Sequence, residues 1–281
     1  MSLTRPSVVH DLLARHQLRP SQSLGQNFLV DEHHLEKIVA AACLDPGDVV
    51  LEIGPGLGTL TARLAAQAGS VIAVEKDRRL QPVLQETVGH LPNVRLVFAD
   101  ALEVDYPALL SEGRAAKVVA NLPYYITTPV LETLLRCSVP WQLFVFLVQK
   151  EVAERLQAGP GRKQYGVLTV LAQFYAQIDV VAQVPGSAFF PAPRVTSAVV
   201  RLTPHDPIPW ALRSDLDRFA DVVSAAFGQR RKTLVNALSA GLGIERQELR
   251  QVLARLGWPE GRRGESLSVA EFVELTNQLP R

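Results

Sequence analysis

The sequence is poor in cysteine. Cys43 and Cys137 are the only cysteines in 281 residues. Two cysteines provide neither a set of disulfides nor the ligands of a structural zinc site. The composition therefore favours a reducing, cytoplasmic setting, and we expect no metal centre.

The sequence also lacks an excess of charge and any long apolar run. The formal net charge is +1, so a nucleic-acid surface must be a local patch. No apolar run approaches the roughly 20 residues of a membrane span. Arg5, Asp11, Arg15 and Arg19 interrupt the N-terminus, which excludes a signal core. We expect a globular protein that does not cross a membrane.

A strand followed by a glycine turn and a helix is the most informative stretch. Residues 49–60 read V-V-L-E-I-G-P-G-L-G-T-L. Apolar β-branched residues indicate a buried parallel strand, and Gly54, Gly56 and Gly58 allow close approach of a ligand and positive φ. The third glycine comes one residue too early for a dinucleotide fingerprint. The pattern resembles the S-adenosylmethionine loop of class I methyltransferases, with an ordinary tight turn as the alternative.

Acidic residues follow the next two predicted strands. Glu75 ends the strand 71–75, roughly twenty positions after Gly54, which is the spacing of a carboxylate that binds ribose hydroxyls. Asp100 follows the strand 94–98 and is placed to accept a hydrogen bond from an adenine amine. A helix-capping role is the simpler alternative for Asp100.

The motif Asn121-Leu122-Pro123-Tyr124 follows a fourth predicted strand, 117–120. The Asn121 side-chain oxygen and the Leu122 carbonyl could each accept one N–H of a nucleobase amine and free its lone pair for attack. Pro123 makes the turn rigid, and stacking on Tyr124 is worth ~1–3 kcal/mol. An Asn-Pro-type turn is the alternative. Because the motif occurs together with the glycine loop and Glu75, a functional site is favoured over an ordinary turn.

The fold prediction is an α/β protein: a Rossmann-like methyltransferase sheet followed by a smaller all-α domain. Residues 1–203 are assigned to the cofactor-binding domain and 204–281 to a helical domain, because only helical patterns follow the proline-rich segment 204–209. A predicted helix over 230–240 carries the basic triplet Arg230-Arg231-Lys232. This triplet could bind phosphate or be a solvated helix face. Arg162-Lys163 is a weaker candidate.

The chain resembles the small-subunit ribosomal RNA adenine dimethyltransferases (KsgA type) along nearly its whole length. The matching segments, in order, are L-G-Q-N-F-L (24–29), E-I-G-P-G-L-G (52–58), V-E-K-D (74–77), N-L-P-Y-Y (121–125), V-Q-K-E-V-A-E-R-L (148–156), F-F-P-A-P-R-V-T-S-A-V-V-R-L (189–202) and Q-R-R-K-T-L-V-N-A-L (229–238). Together they are far more specific than any single motif.

The resemblance implies a cofactor, S-adenosylmethionine, and a set of residues that bind it. An N-terminal segment would cover the cofactor, and Glu75 would bind its ribose. The full implied set is Asn27, Leu29, Gly54, Gly56, Glu75, Asp100 and Asn121.

The resemblance also implies the target: two methyl transfers to each of two adjacent adenosines in the 3′-terminal hairpin of small-subunit ribosomal RNA, linked to ribosome assembly. Tyr124 would stack on the flipped base, with Phe189, or its neighbour Phe190, on the opposite face. The Arg230–Lys232 triplet would contact RNA phosphates. The implied partner is the immature small ribosomal subunit, and we expect a monomer.

Three other functions stay open from the sequence. A large-subunit ribosomal RNA methyltransferase of the macrolide-resistance type shares the loop and the Asn-x-Pro-aromatic turn. A non-catalytic RNA-binding assembly factor would not need Gly54, Glu75, Asn121 and Tyr124 together. A nicotinamide oxidoreductase is disfavoured by the glycine spacing.

Overall fold

The structure, a computed structural model, describes residues 3–21, 24–111 and 115–280. The chain forms two compact units. The first consists of Met1–Ala153 and Ile178–Pro204, and the second of Glu154–Gln177 and His205–Arg281.

The first unit is built on a mostly parallel seven-stranded sheet. The strands are β2 (Val49–Ile53), β3 (Ser70–Glu75), β4 (Val94–Phe98), β5 (Ala116–Asn121), β6 (Trp141–Gln149), β7 (Ala176–Val184) and β9 (Ser197–Pro204). Their order in the sheet is β4-β3-β2-β5-β6-β9-β7. The pairs from β4 to β6 are parallel, and β9 joins β6 antiparallel. The order of the strands reverses between β2 and β5. Open α/β sheets bind ligands at such a point.

Helices precede and connect the parallel strands. In the first unit they are α1 (Pro6–Arg15), α2 (Glu32–Ala41), α3 (Thr59–Ala65), α4 (Gln81–Thr87), α5 (Tyr106–Leu110) and α6 (Thr127–Arg136). All five residues of β2 are buried, so both faces of this central strand are covered. On one face, Leu35 and Ile38 of α2 share a core cluster with Val50 and Val71.

A separate two-stranded sheet joins the N-terminal segment to a distant part of the first unit. It pairs β1 (Phe28–Leu29) antiparallel with β8 (Phe189–Phe190). The sequence gives no strand signal at either place. Strands of two residues give no periodic pattern, so only the paired structure reveals them.

The second unit is helical and contains more of the chain than the sequence predicts. Its helices are α8 (Val167–Tyr175), α9 (Leu216–Gly228), α10 (Leu234–Leu242), α11 (Arg246–Arg255) and α12 (Val269–Gln278), together with the end of α7 (Lys150–Leu156). The sequence assigns 154–177 to the first domain, whereas the structure places this segment with the C-terminal helices. The reason is packing: Phe174 of α8 is buried, and its ring lies 4.6 Å from that of Phe219 of α9, centroid to centroid.

The basic triplet Arg230–Lys232 lies before α10, not within it. Residues 229–232 form a turn in which the backbone N–H of Lys232 donates to the Gln229 carbonyl at 2.8 Å. Thr233, a favoured N-cap type, then precedes the first helical residue, Leu234. The predicted helix over 230–240 therefore begins four residues too early.

Candidate active site

An open pocket lies at the carboxyl ends of β2, β3 and β5. It encloses about 1050 Å³, including space open to solvent. Ten of the residues predicted for the cofactor or the target line it: Asn27, Leu29, Gly54, Gly56, Glu75, Asp100, Asn121, Leu122, Pro123 and Tyr124. Five separate segments of the sequence thus meet at one site.

The glycine loop explains why the motif needs glycine. Gly54, Gly56 and Gly58 all have φ between +59° and +85°, a region that residues with a Cβ rarely adopt. A Cβ on Gly56 would lie 3.1 Å from the Phe28 ring. The loop therefore depends on glycine for its backbone and for close packing against β1.

Backbone amides fix the Glu75 carboxylate. Its Oε2 accepts from the Gly56 N–H at 3.2 Å and its Oε1 from the Asp77 N–H at 2.7 Å. Burial raises the pKa of Glu75, and the two backbone donors oppose that rise. Each carboxylate oxygen has a further lone pair for a ligand hydroxyl. The arrangement suits a vicinal diol.

The two residues after Glu75, Lys76 and Asp77, each form a hydrogen bond with another segment of the pocket. Lys76 Nζ donates to Asp100 Oδ2 at 2.6 Å, which lowers the pKa of Asp100. Gln26 Nε2 donates to Asp77 Oδ2 at 2.9 Å and ties the N-terminal segment to β3. Sequence reasoning gave neither Gln26 nor Lys76 a role. The V-E-K-D run contains Lys76 and Asp77, but their partners Asp100 and Gln26 lie far away in the sequence.

Asn121 is oriented by the N-terminal segment. Its Nδ2 donates to the Asn27 carbonyl at 3.2 Å. In this amide orientation the Oδ1 atom is left as the acceptor for a ligand N–H. Asn27 and Asn121, both predicted to lie at the cofactor, are therefore in contact. The backbone carbonyl of Asn27 orients the Asn121 side chain.

Tyrosines supply aromatic surface at the pocket. The Tyr124 hydroxyl forms a 2.7 Å hydrogen bond with the hydroxyl of Ser197, which is buried at the start of β9. Tyr125 also lines the pocket, and it is 50% exposed. Sequence reasoning missed Tyr125, although the repeated tyrosine of N-L-P-Y-Y was a signal.

Phe189 does not lie where the sequence prediction requires. Its ring is 4% exposed, pairs with Leu29 across the small sheet and belongs to a core cluster with Val184 and Val199. It is absent from the pocket lining. In this structure Phe189 is a packing residue, whereas its neighbour Phe190 is half-buried.

A second buried carboxyl lines the pocket. Glu52 is 1% exposed, and its Oε2 has no hydrogen-bond partner. Burial dominates and, with the charge of Glu75, raises the pKa of Glu52 to about 8. The Thr61 hydroxyl opposes that rise, although it falls outside hydrogen-bond geometry. Burial therefore favours the neutral acid.

This burial predicts a pH-dependent stability. Between the ordinary value of 4.5 and about 8, Glu52 binds more protons in the folded than in the unfolded state. The free energy of unfolding should therefore fall as pH rises through this range, by up to about 1.4 kcal/mol per unit. Glu52→Gln should make the free energy of unfolding depend less on pH. The dependence that remains is the part due to the raised pKa of Glu75. Urea unfolding from pH 5 to 8 measures it, with exposed Glu36→Gln as control. Parallel curves for wild type and Glu52→Gln would contradict the assignment.

The basic residues of the second unit differ in their contacts. The Arg230 guanidinium pairs with Glu265 and donates to two backbone carbonyls. Arg231 and Lys232 are exposed, and their side chains have no hydrogen bond or ion pair within residues 3–21, 24–111 and 115–280. The three neighbours are therefore not equivalent.

Among the described residues, no three histidine, cysteine or acidic side chains are arranged to hold a metal ion. In the same part of the chain, every helix is too short or too polar to span a membrane.

The strand order, the left-handed glycine loop and the carboxylate at the end of β3 define a class I methyltransferase fold. The family model for ribosomal RNA adenine dimethylase matches residues 17–277. Ribosomal RNA small subunit methyltransferase A of Alkaliphilus oremlandii is 44% identical over 99% of this chain and 98% of its own length. The corresponding protein of Pelotomaculum thermopropionicum is 47% identical over 98% and 96%. The chain belongs to the ribosomal RNA adenine dimethylase family.

Solved structures agree with the fold. A dimethyladenosine transferase from Plasmodium falciparum superposes with a TM-score of 0.74 at 26% identity, covering 88% of this chain and 95% of that one. The 23S rRNA methyltransferase ErmE superposes with a TM-score of 0.67 at 27% identity, covering 90% and 99%. The architecture is therefore similar to that of a dimethyladenosine transferase and to that of a 23S rRNA methyltransferase.

Proposed function

We propose that this chain transfers methyl groups from S-adenosylmethionine to the exocyclic amines of two adjacent adenosines in the 3′-terminal hairpin of small-subunit ribosomal RNA. The observation that carries the proposal is the Asn121 amide. Asn27 fixes it within the pocket that also contains Glu75 and Asp100. A target amine and a cofactor would thereby share one site.

The pocket suits the chemistry of S-adenosylmethionine. Glu75 would bind the ribose diol, Asp100 the adenine amine, and the backbone around Gly54 the amino-acid portion. Because Lys76 and the two backbone N–H groups hold the acids in place, little ordering is required on binding. When bound, the cofactor supplies an electrophilic methyl group on a sulfonium.

The motif at the end of β5 would activate the amine. An adenine amine is a weak nucleophile because its lone pair is delocalised into the ring. Asn121 Oδ1 and the Leu122 carbonyl each accept one N–H and shift the nitrogen towards a tetrahedral shape. No strong general base is needed, because the product ammonium loses its proton readily. Positioning and aligned dipoles supply the acceleration.

Aromatic stacking would hold the flipped base. The Ser197 hydrogen bond fixes the Tyr124 ring, and stacking is worth about 1–3 kcal/mol per base. The exposed Tyr125 offers a second ring at the same pocket. Phe189 would have to leave the core to stack on a base, so Tyr125 is the better candidate for a second stacking surface.

The similarity over the full length supports small-subunit ribosomal RNA as the substrate. The relatives named for the small subunit are 44–47% identical, whereas the structure named for 23S RNA is 27% identical. The Q-R-R-K-T-L and F-F-P-A-P-R-V segments favour the small-subunit substrate by the same resemblance. The implied partner is an immature small ribosomal subunit.

Radiolabel transfer tests the proposal. Labelled S-adenosylmethionine is offered with immature small subunits and, separately, with large-subunit RNA, and the product is digested to nucleosides. We expect label in dimethyladenosine from the small subunit alone. Label from large-subunit RNA would move the chain to the other methyltransferase class. Cofactor binding without transfer would indicate an assembly factor.

RNA binding by the second unit gives a further prediction. Replacing Arg231 and Lys232 by Ala should weaken RNA affinity and reduce the slope of log K against log salt by about 0.7–0.9 for each lost phosphate contact. The matched control is Arg246→Ala with Arg255→Ala, which removes two exposed cations from α11 of the same unit. Filter binding at several salt concentrations measures both. Equal slopes in the two double variants would contradict the phosphate role.

A further inference from the structure

Arg230 has a different environment from the two basic residues that follow it. We propose that Arg230 is a positioning residue: it holds the loop 159–163 beside Arg231 and Lys232, so that Arg162, Lys163, Arg231 and Lys232 form one surface for RNA phosphates. We call these four residues the basic cluster. The inference rests on the proposed function for its ligand, but the positioning itself does not.

The contacts of the guanidinium carry the inference. Arg230 Nε donates to Glu265 Oε2 at 2.7 Å, Nη1 to the Lys163 carbonyl at 2.8 Å and Nη2 to the Arg162 carbonyl at 3.1 Å. All three nitrogens are therefore used within the protein. Arginine suits this role because its planar fork presents donors in fixed directions, whereas a lysine ammonium does not.

The loop has few other restraints. The Gly161 N–H donates to the Glu265 carbonyl at 2.8 Å. The other two hydrogen bonds are local turns, from the Arg162 N–H to the Gly159 carbonyl at 3.2 Å and from the Tyr165 N–H to the Arg162 carbonyl at 3.1 Å. Cβ atoms at Gly159 or Gly161 would meet nothing within 4 Å, so packing does not fix the loop. Glu265 thus contacts Arg230 through its carboxylate and Gly161 through its backbone carbonyl, so the three segments meet at this residue.

Charge explains why the arrangement favours a polyanion. Glu265 pairs with Arg230, so that pair adds little to the local field. The four cations of the basic cluster have no hydrogen bond or ion pair from their side chains within the described part of the chain, and all four are exposed. Cations brought together without acidic partners repel one another, and RNA phosphates relieve that repulsion.

Substitution of Glu265 separates positioning from charge. Glu265→Ala removes a negative charge, so a role of charge alone predicts unchanged or tighter RNA binding. Positioning predicts weaker binding, by about 3- to 10-fold. The matched control is Glu260→Ala, which removes another acid that pairs with an exposed arginine, Arg250, in the same unit. It should bind RNA at least as tightly as wild type.

Arg230→Lys is the companion variant because it conserves charge. We expect it to weaken RNA binding as Glu265→Ala does and to raise KM for the ribosomal substrate with little change in kcat. Replacing Arg162 and Lys163 by Ala should cost less affinity in the Glu265→Ala background than in wild type, because the loop is already displaced.

The rate of trypsin cleavage measures how well the loop 159–163 is held in the absence of RNA. It cleaves after arginine and lysine, so release of the loop should speed nicking at Arg162 and Lys163 in Glu265→Ala and Arg230→Lys, but not in Glu260→Ala. Unchanged nicking, with RNA affinity equal to or tighter than wild type in Glu265→Ala, would overturn the inference. If wild type bound no ribosomal RNA, the proposed function would fail, and nicking would still decide whether Arg230 positions the loop.

Discussion

Asn121→Ala is expected to reduce kcat for methyl transfer by about 100- to 1000-fold, the usual cost of removing one preorganised polar contact at a reacting centre. The variant loses the acceptor for the target amine. The donor to the Asn27 carbonyl is lost with it. RNA affinity should remain close to wild type, because the basic cluster is unchanged. Single-turnover transfer from labelled cofactor measures the effect.

Two further variants sharpen this test. Asn121→Asp keeps the shape and an acceptor oxygen, but it places a carboxylate oxygen against the Asn27 carbonyl, so it should also be strongly impaired. Asn93→Ala removes another amide that donates to backbone carbonyls, those of Ala65 and Ala68, outside the pocket. Its kcat should stay near wild type where both proteins are folded. Normal turnover by Asn121→Ala would rule out the assigned role.

Glu75→Gln is expected to weaken cofactor binding by about 30- to 1000-fold, equivalent to 2–4 kcal/mol for hydrogen bonds to a charged group. The conservative change is severe because both carboxylate oxygens accept from backbone N–H groups of Gly56 and Asp77. A glutamine would turn its NH₂ group towards one of these donors and leave it unsatisfied.

Calorimetric titration with S-adenosylmethionine measures the Glu75 effect, and Glu75→Ala should be about as weak as Glu75→Gln. Glu36→Gln, an exposed carboxyl on α2, is the matched control and should bind normally. If Glu75→Gln bound the cofactor as wild type does, the ribose role would have to be given to another residue.

The parallel sheet and the cofactor side of the pocket follow closely from the sequence. Apolar runs identify β2 to β5, and the positions of Gly54, Glu75 and Asn121 at the ends of strands place them at one edge. All three residues line the same pocket. Local patterns suffice here because each signal lies within one strand and its turn.

Contacts between distant segments were not predictable in the same way. Gln26 meets Asp77, and Arg230 meets the carbonyl of Lys163, yet nothing in either local sequence shows the partner. The segment 154–177 has the apolar spacing of any buried helix, so its membership of the second unit depends on packing with residues such as Phe219. Phe189 shows the same limit, because core packing and base stacking require the same residue type.

The pairing of β1 with β8 has a consequence for synthesis of the protein. Phe28 pairs with Phe190, and Leu29 with Phe189, so strands from opposite ends of the first unit must meet. A ribosome releases the chain from its N-terminus, so the early strand has no partner until nearly all of this unit has emerged. The N-terminal segment carries Asn27, which orients Asn121. The pairing that supports this segment therefore cannot form in a growing chain until Phe189 and Phe190 have emerged.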